Sequence, residues 1–161
     1  MTDFPGLLAR LTRAGVDFVV IGGIAVISHG HARATLDLDI CYGRDAENLE
    51  RLASALQPLA PRLRGAPADL PFFWDARTLR NGLNFTLTTT IGDIDLLGEV
   101  TGLGMYGELA PRANVVELYG MPIKILALDD LIRSKAAAGR AKDLIDLEAL
   151  RALAARRSGP P

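Results

Sequence analysis

Two aspartates at a two-residue spacing stand inside an otherwise apolar stretch, residues 36–40, which reads LDLDI. Successive side chains of a strand point to opposite faces, so Asp37 and Asp39 share one face. Two carboxylates that close repel each other and raise each other's pKa unless a cation lies between them. A hard divalent ion such as Mg²⁺ (or Mn²⁺), which binds carboxylate and phosphate oxygens, would relieve this repulsion. The pattern indicates a metal site; the alternative is an edge strand with one solvated face.

A glycine pair precedes the aspartates and directly follows the apolar residues 17–21. Where a strand ends in two glycines and a helix begins, the backbone can approach a ligand closely and offer N–H groups to a phosphate. Gly22 and Gly23 therefore predict an anion site, and an ordinary tight strand–helix turn is the alternative. An anion site beside a metal site is what phosphoryl or nucleotidyl transfer requires.

A third carboxylate is available in the sequence GDIDLLGEV, in which Asp93 and Asp95 again share one strand face. Asp95 lies deeper in the predicted strand, between Ile94 and Leu96, whereas Asp93 adjoins the predicted turn. Asp95 is therefore the preferred third ligand, and Asp93 remains the alternative.

Basic residues cluster near the C-terminus. Lys135 continues the apolar helical stripe that begins at residues 128–132, so it is expected to face inward, where a lysine needs a negative partner. Asp143 lies on the apolar face of the next helix. One interpretation is a structural Lys–Asp bridge between two helices. The other is that Lys135, Arg140 or Lys142 neutralises a bound triphosphate.

The spacing of apolar residues and of turn residues predicts the elements that position these groups. Helices are predicted over residues 3–14, 24–29, 45–59, 129–138 and 142–155, with one helical turn over 75–80. Strands are predicted over residues 17–21, 35–41, 83–90, 93–98, 115–118 and 122–126. Asp45 and Asp129 are the expected N-caps of their helices, and Gly139 is expected to end the fourth helix. The proline-rich residues 58–71 are expected to form a surface loop, a candidate substrate-side flap.

These elements predict an α/β (α+β) fold, in which helices pack on a mixed sheet of five or six strands. A single domain is expected over residues 1–161, with a C-terminal helical segment over 128–155 and a frayed end at RRSGPP. The chain has 161 residues, of which 49% are hydrophobic, enough to form a core.

The composition of the chain argues against several classes of function. The formal net charge of −1 argues against a protein that coats nucleic acid, which would need a strong basic excess. No apolar run approaches the roughly 20 residues that span a bilayer, so no membrane partner is expected. The N-terminus does not read as a signal peptide, and a single cysteine, Cys41, excludes an internal disulfide. A cytoplasmic location is therefore expected.

The motifs resemble those of a known superfamily. Gly22-Gly23, thirteen residues, then Asp37-Leu-Asp39-Ile resembles the signature of DNA polymerase β-type nucleotidyltransferases. Arg33 and Thr35 before the acidic pair resemble the small bacterial members related to the toxin of abortive-infection type IV toxin–antitoxin systems. Those members also carry a Lys…Gly-Arg-x-Lys-Asp-x-x-Asp motif, which residues 135–146 match.

The resemblance implies a nucleotidyltransferase fold and a set of site residues. It implies that Asp37, Asp39 and Asp95 hold two Mg²⁺ (or Mn²⁺) ions and that Asp95 helps to deprotonate the acceptor hydroxyl. The residues it implies for nucleotide binding are Gly22, Gly23, Arg33, Thr35, Lys135, Arg140, Lys142 and Asp143. Many members have Gly-Ser in place of Gly22-Gly23, so one hydroxyl contact to phosphate is missing here.

The implied reaction is transfer of NMP from an NTP to a hydroxyl of RNA (such as tRNA), a protein or a small molecule. The implied partner is a cognate toxin or antitoxin. The alternative is a nucleotide-binding regulatory or antitoxin-like module with little or no catalysis.

Overall fold

A mixed seven-stranded sheet forms the centre of the computed structural model, which describes residues 1–159. Its strands are β1 (Phe18–Ile21), β2 (Asp37–Tyr42), β3 (Arg62–Leu63), β4 (Asn84–Thr89), β5 (Gly92–Leu97), β8 (Asn114–Leu118) and β9 (Met121–Ile125). A separate two-stranded sheet contains β6 (Glu99–Val100) and β7 (Gly104–Met105). The order in the large sheet is β3-β4-β5-β2-β1-β9-β8, so β2 lies at its centre.

In the part of the chain that the structure describes, seven α-helices flank the sheets. They are α1 (Phe4–Arg13), α2 (Gly22–Ser28), α3 (Ala46–Leu56), α4 (Ala76–Asn81), α5 (Tyr106–Leu109), α6 (Leu128–Ala138) and α7 (Ala141–Ser158). Short 3-10 turns follow α3 and α5. No helix in residues 1–159 combines the length and the apolarity that crossing a bilayer would require.

Apolar periodicity explains the central elements. All four residues of β1 are buried, as expected for a strand covered on both faces. Buried and exposed residues alternate strictly along β4, which has one covered face. In α1, Leu7, Leu8 and Leu11 form the buried stripe. The predicted mixed α/β architecture is therefore confirmed.

The pairing of β2 with β5 positions the acidic residues. The two strands are parallel, and their register places Asp39 opposite Asp95 and Asp37 opposite Asp93. β1 pairs with β2 in antiparallel register, which brings Ile21, the residue before the glycine pair, opposite Asp39. Three separate sequence motifs therefore meet at one end of the sheet.

Several sequence predictions need correction. The large sheet has seven strands rather than five or six, because β3 forms inside the segment that was predicted to be a loop over residues 58–71. α6 begins after Ala127, so Asp129 lies in its first turn and does not cap it. Gly139 ends α6 in the left-handed conformation, as predicted. α7 continues to Ser158, and of the predicted frayed end, residues 160–161 lie outside the described residues.

Candidate active site

Three carboxylates converge where β2 and β5 lie side by side. Asp37, Asp39 and Asp95 each place one oxygen so that the three oxygens lie within 4.8 Å of one another. The strand pairing explains the cluster, because Asp95 is the register partner of Asp39 and all three side chains leave the same sheet face. Asp93 instead accepts a hydrogen bond from the Thr88 hydroxyl at 2.9 Å. Of the two candidates for a third ligand, the fold brings Asp95 to the pair.

The local electrostatics disfavour three simultaneous negative charges. The pKa of Asp39 is raised to about 7, mainly by burial and in addition by the charges of Asp37 and Asp95. Burial also raises the pKa of Asp95, with the Arg64 guanidinium opposing the shift. An oxygen-rich cluster that resists ionisation on its own is suited to a hard divalent cation, which would compensate all three charges. The donor set therefore fits Mg²⁺ or Mn²⁺.

The glycine pair packs directly against β2. Gly22 has a φ of +64°, and a Cβ on it would overlap the Asp39 carboxylate. A Cβ on Gly23 would lie 2.6 Å from the Thr35 hydroxyl oxygen. That hydroxyl donates to the Asp37 carbonyl at 3.1 Å. Glycine at both positions is what allows the start of α2 to approach the acidic strand.

A cleft of about 270 Å³ opens between the carboxylates and the junction of α6 with α7. All eleven site residues predicted from the sequence line this cleft. They are Gly22, Gly23, Arg33, Thr35, Asp37, Asp39, Asp95, Lys135, Arg140, Lys142 and Asp143. The cleft thus has an acidic wall on the sheet and a mainly basic wall on the helices.

Buried ion pairs organise the basic wall. Lys135 is only 8% exposed, and its Nζ lies 3.2 Å from both Asp143 Oδ1 and Asp146 Oδ2. Arg33 forms an ion pair with Asp146, and Arg140 Nε donates to Asp143 Oδ2 at 2.6 Å. Burial opposes ionisation of Asp143, but hydrogen bonds from Arg140 and Lys135 outweigh it and lower its pKa. These two aspartates hold the cations at the cleft.

The Lys–Asp bridge predicted as one interpretation of Lys135 is therefore present. The same lysine also lines the cleft together with the carboxylate cluster, and its charge lowers the pKa of Asp39. Bridging and facing the cleft are compatible, because one ammonium group has three donors. Lys142 is exposed, lines the cleft and forms no ion pair within the described part of the chain.

Arg64 is the site residue that the sequence did not indicate. It follows β3 in the proline-rich segment, and its guanidinium lies 2.9 Å from Asp95 Oδ1, 3.3 Å from Asp93 Oδ2 and 3.4 Å from Asp37 Oδ2. The two-residue strand β3 has no periodic pattern in the sequence that would indicate it. The sequence indicated Asp146 only as the last acidic residue of the C-terminal motif, residues 135–146.

Comparisons with known proteins identify the fold. No protein-family model and no curated protein sequence matches the chain. Among solved structures, it is similar to the lincosamide antibiotic adenylyltransferase LnuA with lincomycin bound, with a TM-score of 0.60 and 14% identity over 94% of this chain and 98% of that chain. It is also similar to the candidate nucleotidyltransferase TM1012 of Thermotoga maritima, with a TM-score of 0.58 and 18% identity over 98% of this chain and 97% of that one.

A third similar structure is the antibiotic-resistance factor ANT(2'')-Ia in solution, with a TM-score of 0.57 and 16% identity over 96% of this chain and 82% of that one. At such identities, the similarity establishes the fold alone. The chain has the nucleotidyltransferase fold predicted from its motifs.

Proposed function

We propose that this chain is a metal-dependent nucleotidyltransferase that moves NMP from an NTP to a hydroxyl acceptor, and that residues 1–161 form a single minimal domain. The observation that carries the proposal is the cleft itself. Three carboxylates lie on one wall, and the cations Lys135, Arg140 and Lys142 line the other. An acidic metal-binding cluster across from phosphate-neutralising cations is the arrangement that phosphoryl-group transfer needs.

Asp37, Asp39 and Asp95 would hold Mg²⁺ or Mn²⁺. When bound, the divalent ions supply Lewis-acid stabilisation of the charge that develops on the phosphate oxygens. Burial and the repulsion within the cluster raise the pKa of Asp39, and a bound cation would relieve that repulsion.

The chain's own residues account for the other parts of the reaction. Lys135, Arg140, Lys142 and Arg33 neutralise the triphosphate, and the glycine pair brings the start of α2 against Asp39 at the edge of the cleft. Asp95 accepts the proton of the acceptor hydroxyl. The hydroxyl oxygen then forms a bond to the α-phosphorus. The α–β phosphoanhydride bond breaks, and its electron pair leaves with pyrophosphate.

The proposed acceptor is a hydroxyl group of RNA such as tRNA, of a protein or of a small molecule. Two similar structures support a small-molecule acceptor. One is an antibiotic adenylyltransferase with lincomycin bound, and the other is an antibiotic-resistance factor. The toxin–antitoxin assignment rests on the motif resemblance of residues 22–40 and 135–146. It predicts that expression of the chain arrests growth and that a cognate partner restores it.

A specific observation also supports a second candidate, a nucleotide-binding regulatory or antitoxin-like module with little turnover. Lys135 and Arg140 are already paired with the buried Asp143, and Arg64 already compensates the carboxylates. A site whose charges are satisfied internally could bind nucleotide without catalysing transfer.

Direct transfer of label separates these functions. The purified chain is incubated with each α-³²P-labelled NTP, Mg²⁺ or Mn²⁺, and total RNA, total protein or a panel of hydroxylated antibiotics. We expect label to appear on one acceptor class with wild type and with Glu50→Gln, which changes an exposed residue of α3 outside the cleft. Asp39→Asn should transfer no label to any acceptor. Nucleotide binding without transfer to any acceptor would favour the regulatory module.

A further inference from the structure

Arg64 connects the proline-rich segment to the carboxylate cluster. Its backbone N–H donates to the Thr86 carbonyl at 2.9 Å, which extends the β3–β4 pairing by one residue. Its side chain then points back over the sheet, where Nη2 donates to the Leu87 carbonyl at 2.7 Å and to Asp95 Oδ1 at 2.9 Å. The backbone bond and the carbonyl contact fix where the guanidinium can lie.

This arginine differs from an ordinary surface ion-pair partner. Its side chain is 27% exposed and contacts three carboxylates, two of which, Asp37 and Asp95, belong to the candidate metal cluster. The neighbouring Arg62, two residues earlier, is exposed and donates only to the Ala68 carbonyl in the described structure. The chain therefore supplies its own cation to the cluster that a divalent ion would occupy.

We propose that Arg64 is a built-in counter-cation that competes with the divalent metal ion for Asp37 and Asp95. This inference rests on the proposed function only in assuming that the carboxylates bind metal. A carboxylate oxygen that donates electron density to a metal ion is less available to an N–H donor, and two cations at one cluster repel each other. Metal loading is expected to release Arg64 from Asp37 and Asp95.

Asp93 gives the released guanidinium a place to remain. Its Oδ2 already lies 3.3 Å from Arg64 Nε, and it lies outside the three-carboxylate cluster. The Leu87 carbonyl offers a second, neutral acceptor. Arg64 can thus exchange partners by a side-chain movement while its backbone bond to Thr86 stays in place. This gives Asp93, the unused candidate ligand, a positioning role.

Metal affinity tests the competition without any need for catalysis. Mn²⁺ binding is measured by calorimetry for wild type, Arg64→Gln and the matched control Arg62→Gln. We expect Arg64→Gln to bind Mn²⁺ about tenfold more tightly than wild type, because an arginine next to a carboxylate lowers the affinity of that carboxylate for a proton by about that factor or more. Arg62→Gln should match wild type. In EDTA, Arg64→Gln should melt at a lower temperature because the carboxylates then lack their partner.

The wild-type protein provides a second readout that needs no substitution. In a Mg²⁺ titration followed by NMR, the Arg64 Nε–Hε signal should shift with the midpoint that calorimetry gives for Mg²⁺ binding. The Arg62 signal should stay fixed. The Arg64 signal should also stay fixed in Asp39→Asn if that variant does not bind metal.

Competition at the carboxylate cluster and nucleotidyl transfer give separate results in these experiments. Equal Mn²⁺ affinity in wild type and Arg64→Gln, with an unmoved Arg64 signal on metal loading, overturns the competition and leaves the metal site intact. If no variant binds metal, both the competition by Arg64 and the proposed metal-dependent function are overturned. Label transfer by wild type, together with equal affinities, overturns only the competition.

Discussion

Asp39 and Asp95 are register partners on the parallel strands β2 and β5, so two motifs that are 56 positions apart in the chain place their carboxylates in one cluster. The remaining wall of the cleft comes from the junction of α6 and α7. The acids repel each other, and buried aspartates hold the cations. Substitutions on either side of the cleft should therefore change the free energy of unfolding or the affinity for ligands.

The acidic side predicts a pH dependence of stability. The pKa of Asp39 is about 7 in the folded protein and near 4 when unfolded, so the folded state binds the extra proton between these values. Asp39 therefore makes the metal-free protein progressively less stable as pH rises from about 4 to 7. Asp39→Asn removes this effect, and we expect it to be more stable than wild type by about 1–3 kcal/mol at pH 8.

Urea unfolding in EDTA at several pH values checks this prediction. The difference between the two proteins should shrink toward zero below pH 4, where the Asp39 carboxyl becomes neutral in both states. A difference that does not change between pH 4 and pH 8 would show that Asp39 is not the titrating group.

The glycine pair predicts a steric effect. Gly22→Ala places a methyl group on the Asp39 carboxylate at a positive φ, so we expect a loss of about 1–3 kcal/mol of stability and weaker Mn²⁺ binding. Gly107→Ala is the matched control, because a Cβ there meets nothing within 4 Å and the residue lies in α5. Chemical unfolding and calorimetry measure both effects. Equal losses in the two variants would remove the special role of Gly22.

The basic side predicts that binding and stability can be separated. Lys142→Ala should weaken MgATP binding yet change the unfolding free energy by less than about 0.5 kcal/mol, since the side chain is exposed. Lys135→Ala should weaken binding and also cost about 3 kcal/mol of stability, because Asp143 and Asp146 lose a buried partner.

Arg156→Ala, in the last turn of α7, is the control for both variants, and we expect it to bind MgATP as wild type does. If Lys135→Ala lowers stability but binds MgATP normally, Lys135 is a structural bridge alone.

Local patterns in the sequence were sufficient for most of the fold. The alternation along β4 and the apolar run of β1 depend only on neighbouring residues, and both predicted hairpins formed. The left-handed end of α6 at Gly139 is likewise a local property. The prediction that Asp129 caps α6 was wrong. An aspartate is also favourable in the first turn of a helix, where Asp129 lies.

Non-local pairing explains what the sequence could not predict. The choice of Asp95 over Asp93 depends on the cluster formed across β2 and β5, and strand register is not encoded within either strand. Arg64 reaches the carboxylates only because the two-residue strand β3 pairs with β4 at the sheet edge. Such a short strand between prolines carries no periodic signal.

Label transfer by a pair of acidic variants tests whether the carboxylate cluster is the catalytic centre. Asp95→Asn and Asp93→Asn remove the same charge from the same strand face two residues apart, but only Asp95 belongs to the carboxylate cluster. With the acceptor found for wild type, we predict that Asp95→Asn lowers NMP transfer by at least about a hundredfold and Asp93→Asn by less than about tenfold. Full activity of Asp95→Asn, or a larger loss in Asp93→Asn, would contradict the assignment of this cluster as the catalytic centre.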